Sequence, residues 1–186
     1  MLTGDVETQL SLADEMVLHP QVPVKVSVFA WWLIRDRLPT KANMAYRGVI
    51  PTDDMFCVFG CGHVETAEHL FLSCSTFAPL WQHVRGWIGC DGVDSIVITD
   101  HMVQFSLLTG DGKAKRSFMQ LIWLLCTWVL WNERNNHFFN NTVSIVPRLL
   151  DKVKLLALGW LKAKKVVFVY GTHMWWSSPL HCLGIG

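Results

Sequence analysis

The chain has 186 residues, of which 51% are hydrophobic and 17% charged, with a net charge of +1. Such a composition excludes a disordered chain and a polycation, and it suffices for one ordinary domain or two small ones. The ten tryptophans and ten phenylalanines are enough to fill a core or a partner-facing surface.

Residues 1–20 read as a tail. Asp5, Glu7, Asp14 and Glu15 give residues 1–21 a balance of −4, and no long apolar run resembles a signal peptide. An intracellular, reducing setting follows as the expectation, in which clustered cysteines point to metal rather than disulfides. Pro20 and Pro23 then punctuate the chain, and a helix is predicted from Val24 to about Arg37, ended by Leu38-Pro39. Thr40 is a good N-cap for a second helix through Arg47, with Gly48 as its stop. Residues 49–63 read as a loop, and Glu65 to Leu72 as one or two helical turns.

A helix starting at Ser75 or Thr76, with Pro79 in its first turn, carries Leu80, Trp81, Val84, Trp87 and Ile88 at helical spacing and stops at Gly89. Residues 91–112 read as a linker with short strands near 96–98 and 103–108. A long helix from Ala114 to Phe138, broken by Asn140-Asn141, and another from Val146 to Lys164 follow. VVFVY, residues 166–170, reads as a short strand and the remainder as irregular. The expected fold is mostly α, with a small helical module over 21–90 and a C-terminal helical region over 113–186. The apolar run SFMQLIWLLCTWVLW, residues 117–131, has fifteen residues where a bilayer needs about 18–20, which favours a buried helix over a membrane anchor.

Three of the six cysteines crowd into CVFGCGHVETAEHLFLSC, residues 57–74. Cys57-x3-Cys61-x7-His69-x4-Cys74 offers the donors of a tetrahedral Cys3His zinc site. Gly60 and Gly62 allow the sharp turn that brings the first two sulfurs together. His63 competes with His69, but it lies only two residues after Cys61, and joint coordination there would be strained. Four protein donors leave no open position, so the zinc would be structural; a catalytic zinc would need a missing donor and a base such as Glu65 or Glu68.

VPVKVSVFAWWLIRDRLPTKANMAYRGVI, the cysteine-histidine stretch and LWQHVRGWIG together resemble the zinc-binding region that follows the reverse transcriptase domain of plant non-LTR retrotransposons. The resemblance covers residues 22–90, and WVLWNERNNHFF and MWWSSPLHCLG also look like the C-terminal tails of such elements. It implies a nucleic-acid-associated zinc module, with Cys57, Cys61, His69 and Cys74 as ligands. Polymerase chemistry does not follow, because the one adjacent aspartate pair, Asp53-Asp54, sits beside a proline in a loop and lacks the polymerase sequence context. A non-catalytic protein is expected.

Two partner classes follow. Lys25, Arg35, Arg37, Lys41 and Arg47 against Asp36 give residues 22–50 a balance of +4, and these five are the candidate contacts to RNA or DNA phosphates, with Trp31 or Trp32 for base stacking. A second basic segment, residues 148–165, has a balance of +5. Alternatively, aromatic faces dock the module on a reverse transcriptase or another protein. Arg134, Asn135 and Asn136 read either as the solvated end of a helix or as phosphate contacts.

Overall fold

The computed structural model describes residues 15–93, 95–110 and 112–186. Most of the predicted tail lies outside them. Its last part packs: Val17 and His19 are buried, and His19 Nε2 lies 2.8 Å from Ser117 Oγ.

The described residues are mostly helical and include no strand beyond one antiparallel bridge, Phe56 to Val64. Helix α1, Val24–Ile34, ends earlier than the proline at 39 requires. Asp36 takes a left-handed φ of 48°, and the Asn43 amide donates to the Asp36 carbonyl at 3.0 Å and its carboxylate at 2.9 Å, fixing the tight turn. Thr40 caps α2, Lys41–Tyr46, by accepting from Asn43 N at 3.2 Å. Helix α3, Pro79–Ile88, starts at its proline rather than at Ser75 or Thr76, and ends at Gly89 with φ 81°.

The two strands expected within 91–112 are absent. Instead Ile98–Leu107 forms helix α4, which buries Ile98, Met102 and Phe105 at helical spacing. Helix α5, Lys113–Asn140, and helix α6, Val146–Ala163, follow. The run 117–131 lies in α5 and is spent on the core: every residue from Leu121 to Thr127 is buried. None of the helices described is long and apolar enough to cross a membrane. VVFVY forms no strand. It passes alongside Trp175, with Phe168 against the indole at 5.8 Å. The C-terminal stretch is more ordered than predicted. Trp175 is buried and donates Nε1 to Lys154 O at 2.9 Å, its own carbonyl accepts from Trp87 Nε1 at 2.9 Å, and Pro179–Leu183 forms a short helix, α7. One continuous apolar core runs from Val17 to Leu183 and includes residues of α1, α3, α4, α5, α6 and α7.

The α5–α6 junction carries a charged contact at the edge of this core. Glu133 is buried; it accepts from Lys152 Nζ at 2.9 Å and from the Ser144 amide. Burial alone would raise its pKa, but the bonds from Lys152 and Ser144 outweigh it and hold the carboxyl below its usual range. A folded-state pKa below the unfolded one adds stability above pH ~4.3, and that stability disappears as pH falls through the folded value. The stability difference between the parent and Glu133→Gln is therefore expected to be largest near neutral pH and to shrink as pH falls below about 4.3 in urea titrations. A pH-independent difference would refute it.

Candidate metal centre

The site is assembled from a hairpin-like turn and one wide helical turn. Residues 55–65 fold back on themselves: Cys57 N donates to His63 O at 2.8 Å and Glu65 N to Met55 O at 2.9 Å. Gly60 and Gly62, with φ of 69° and 82°, turn the tip between and after the first two cysteines. A side chain at either position would be strained in this left-handed region.

The second half is His69–Ser73, a π turn overlapping the one or two helical turns predicted for 65–72. Thr66 Oγ1 accepts from His69 N at 3.1 Å, and Cys74 N closes the turn on His69 O at 2.7 Å. The widening has a geometric use. In an α-helix, residues five apart point about 140° away from each other. A turn closed between residues i and i+5 brings His69 and Cys74 to the same side, in the way single π turns often serve functional sites.

Cys57, Cys61, His69 and Cys74 consequently place their four donor atoms within 4.8 Å of one another. Cys57 Sγ lies 3.9 Å from Cys74 Sγ, and Cys61 Sγ lies 3.1 Å from His69 Nε2. Tetrahedral zinc with Zn–S of about 2.3 Å has S–S edges of roughly 3.8 Å, so the observed sulfur pair already spans such an edge. Three thiols and one imidazole are a donor set that suits zinc. His63 stays outside: its ring is exposed, stacks on His69 at 5.1 Å and donates Nδ1 to Cys61 O at 3.2 Å.

The bond to Cys57 lowers the Cys74 thiol to about 5 in spite of burial, whereas the same contact and burial push Cys57 far up. A divalent cation held here would need all three cysteines as thiolates, so its binding would release their protons.

The predicted phosphate contacts are scattered around α1 and α2. Lys25, Arg37 and Arg47 are exposed, whereas Arg35 and Lys41 are half-buried. The guanidinium carbons of Arg35 and Arg37 lie 4.8 Å and 5.7 Å from the Trp31 ring centroid. Asp53 and Asp54 form an exposed 3₁₀ turn, Thr52–Asp54. A cleft of about 460 Å³ opens between α1 and α5, with Trp32, Phe138 and Lys25 among its walls.

Sequence reasoning missed two contributors. Glu65, considered above as a general base, is buried and ion-paired to Arg134 at 2.8 Å. His137 donates Nε2 to Val58 O at 3.0 Å. The lone signal was the cluster of polar residues ending a long apolar helix, which does not name its partner.

No curated protein and no solved structure matches the chain. A family model described as zinc-binding in reverse transcriptase matches residues 5–81. All four donors lie inside that match, so the part of the chain that carries them is similar to the zinc-binding region of reverse transcriptases.

Proposed function

We propose that the zinc is structural and that the module binds nucleic acid through the α1–α2 face without catalysing a reaction. The observation that carries the first half is the closed donor set: four protein atoms within 4.8 Å leave no position for water or substrate. Glu65 is occupied by Arg134 and Glu68 is exposed, so neither is poised beside the cluster as a base. The second half is supported by Lys25, Arg37 and Arg47, which are exposed; Lys25 lines one cleft with the exposed Trp32, and Arg47 lines another with the exposed Tyr46. Cations that track a backbone beside rings that stack on bases are the usual means of holding single strands.

Fluorescence anisotropy with a labelled single-stranded RNA or DNA tests this reading. Three phosphate contacts give a slope of log K against log salt of about −2, at roughly −0.7 per phosphate. The Lys25→Glu, Arg37→Glu, Arg47→Glu triple variant is expected to abolish binding while retaining zinc. Absence of binding at low salt, or binding indifferent to salt, refutes it.

The apolar cleft between α1 and α5 favours a second reading, in which the module docks on a polymerase or another protein. Trp32 is 47% exposed at its edge, and Phe139 is 74% exposed. Light scattering that shows salt-resistant self-association, together with no nucleic-acid binding, would favour docking.

A further inference from the structure

The contacts made by the C-terminal half of α5 point to a role in the metal site that its place in the chain does not suggest. Arg134 and His137 lie three residues apart and so share one face of the helix. Both reach the turn that carries the first two cysteines, across separations of 69 and 79 residues. Arg134 donates Nη2 and Nε to Glu65 Oε1, at 2.8 Å and 3.2 Å. The other oxygen of Glu65 accepts from Val58 N at 3.0 Å, and Oε1 also accepts from Lys41 N at 3.0 Å. His137 completes the hold from the opposite side, donating Nε2 to Val58 O. Its ring stacks on Phe59 at 4.8 Å with 15° between planes.

Val58 directly follows Cys57, and Phe59 precedes the glycine that turns the chain towards Cys61. The amide and the carbonyl of one residue are thus both fixed, one by Glu65 and one by His137. Arg134 in turn fixes Glu65, and the arginine and the carboxylate are 3% and 0% exposed. A turn held in this way keeps its two sulfurs near the geometry of the bound state, and the ordering cost of binding an ion is met during folding. Outer partners of this kind commonly change metal affinity 10–100-fold.

We propose that Arg134 and His137 are positioning residues for the metal site. The working metal module is then the 55–74 segment together with the end of α5, which lies beyond the matched residues 5–81. The proposal rests on the reading of the cluster as a zinc site.

The test uses the full chain and zinc alone, titrated in competition with a chromophoric chelator, with the visible spectrum of the cobalt-loaded protein as a second readout. Arg134→Lys keeps the charge opposite Glu65 but loses the two-pronged contact. His137→Phe keeps the stacking on Phe59 but loses the bond to Val58 O. Each is expected to remain helical by circular dichroism, to bind zinc 10–100-fold more weakly, and to retain a tetrahedral cobalt spectrum with the same four donors. Leu161→Ala, in the core of α6 and away from the turn, controls for loosening of the fold. It should melt earlier yet bind zinc within about two-fold of the parent.

Zinc affinity within two-fold of the parent in both positioning variants overturns the proposal, as does an equal loss of affinity in Leu161→Ala. A parent chain that binds no zinc overturns the underlying metal reading instead, so the two failures are distinguishable.

Discussion

Replacing Cys74 with serine is expected to abolish zinc binding and unfold the region between α2 and α3. Elemental analysis should fall from a full equivalent of zinc to background, and the change should exceed that of any other single substitution. Cys74 is fully buried, has its sulfur 3.9 Å from that of Cys57 and ends the π turn, so the serine hydroxyl replaces a buried thiol donor with a poor zinc ligand. Structural zinc supplies about 10–16 kcal/mol in zinc-finger peptides, more than the net stability of most domains. The loss here would be partial, because α4, α5 and α6 share a core built on Met102, Trp123, Leu125 and Val153 that needs no metal. The expected product is therefore a chain with α5 and α6 still helical and the 49–78 region open to proteolysis. Chelator treatment of the parent should give the same cleavage pattern. Cys90→Ser is the control: Cys90 lies outside the cluster, and burial pushes its thiol up, so its loss should leave zinc in place. A Cys74→Ser protein with full zinc content would remove the foundation of the site.

Local signals were legible in the sequence to the extent that local chemistry decided them. Thr40, Gly48, Pro79 and Gly89 mark caps and stops where the backbone demands a side-chain acceptor, a positive φ or a fixed one, and each does so in the structure or within a few residues of it. The long helices at 113–140 and 146–163 were readable from their length and from the Asn140-Asn141 break between them. The donor cluster was readable from spacing alone, since a short loop with two glycines limits where its sulfurs can go.

What escaped was decided by distant partners. Residues 96–98 and 103–108 read as short strands, but 98–107 fold as α4 because Met102, Phe105 and His101 have α5 and Trp81 to pack against. His101 accepts from Trp123 Nε1 at 2.9 Å. VVFVY has strand propensity, but the described residues include no strand for it to pair with, and propensity alone does not supply the missing hydrogen bonds. The polar group at 134–137 was opaque for the same reason. Arg134 and His137 acquire meaning from Glu65 and Val58, and no periodicity within α5 encodes those contacts.

Trp81→Ala is expected to be the most damaging core substitution that leaves the donors intact. The indole is almost fully buried, sits against His101 at 4.4 Å and Phe105 at 5.4 Å, and donates Nε1 to Phe71 O at 2.8 Å. Phe71 lies inside the π turn, so this one side chain both fills the space between α3 and α4 and satisfies a carbonyl in the turn that aims His69 and Cys74. Truncation should cost about 3–5 kcal/mol for the lost contacts and cavity. Trp81→Phe keeps most of the volume but leaves the Phe71 carbonyl unpaired, which costs about 1–3 kcal/mol. Urea titrations in zinc-saturated buffer should therefore rank the parent above Trp81→Phe and Trp81→Ala last. Because the turn is widened at the residues the indole supports, both variants should also release zinc to a chelator faster than the parent. Equal stability for alanine and phenylalanine at this position would mean that the indole contributes neither volume nor hydrogen bond. The π turn would then be held by the metal alone.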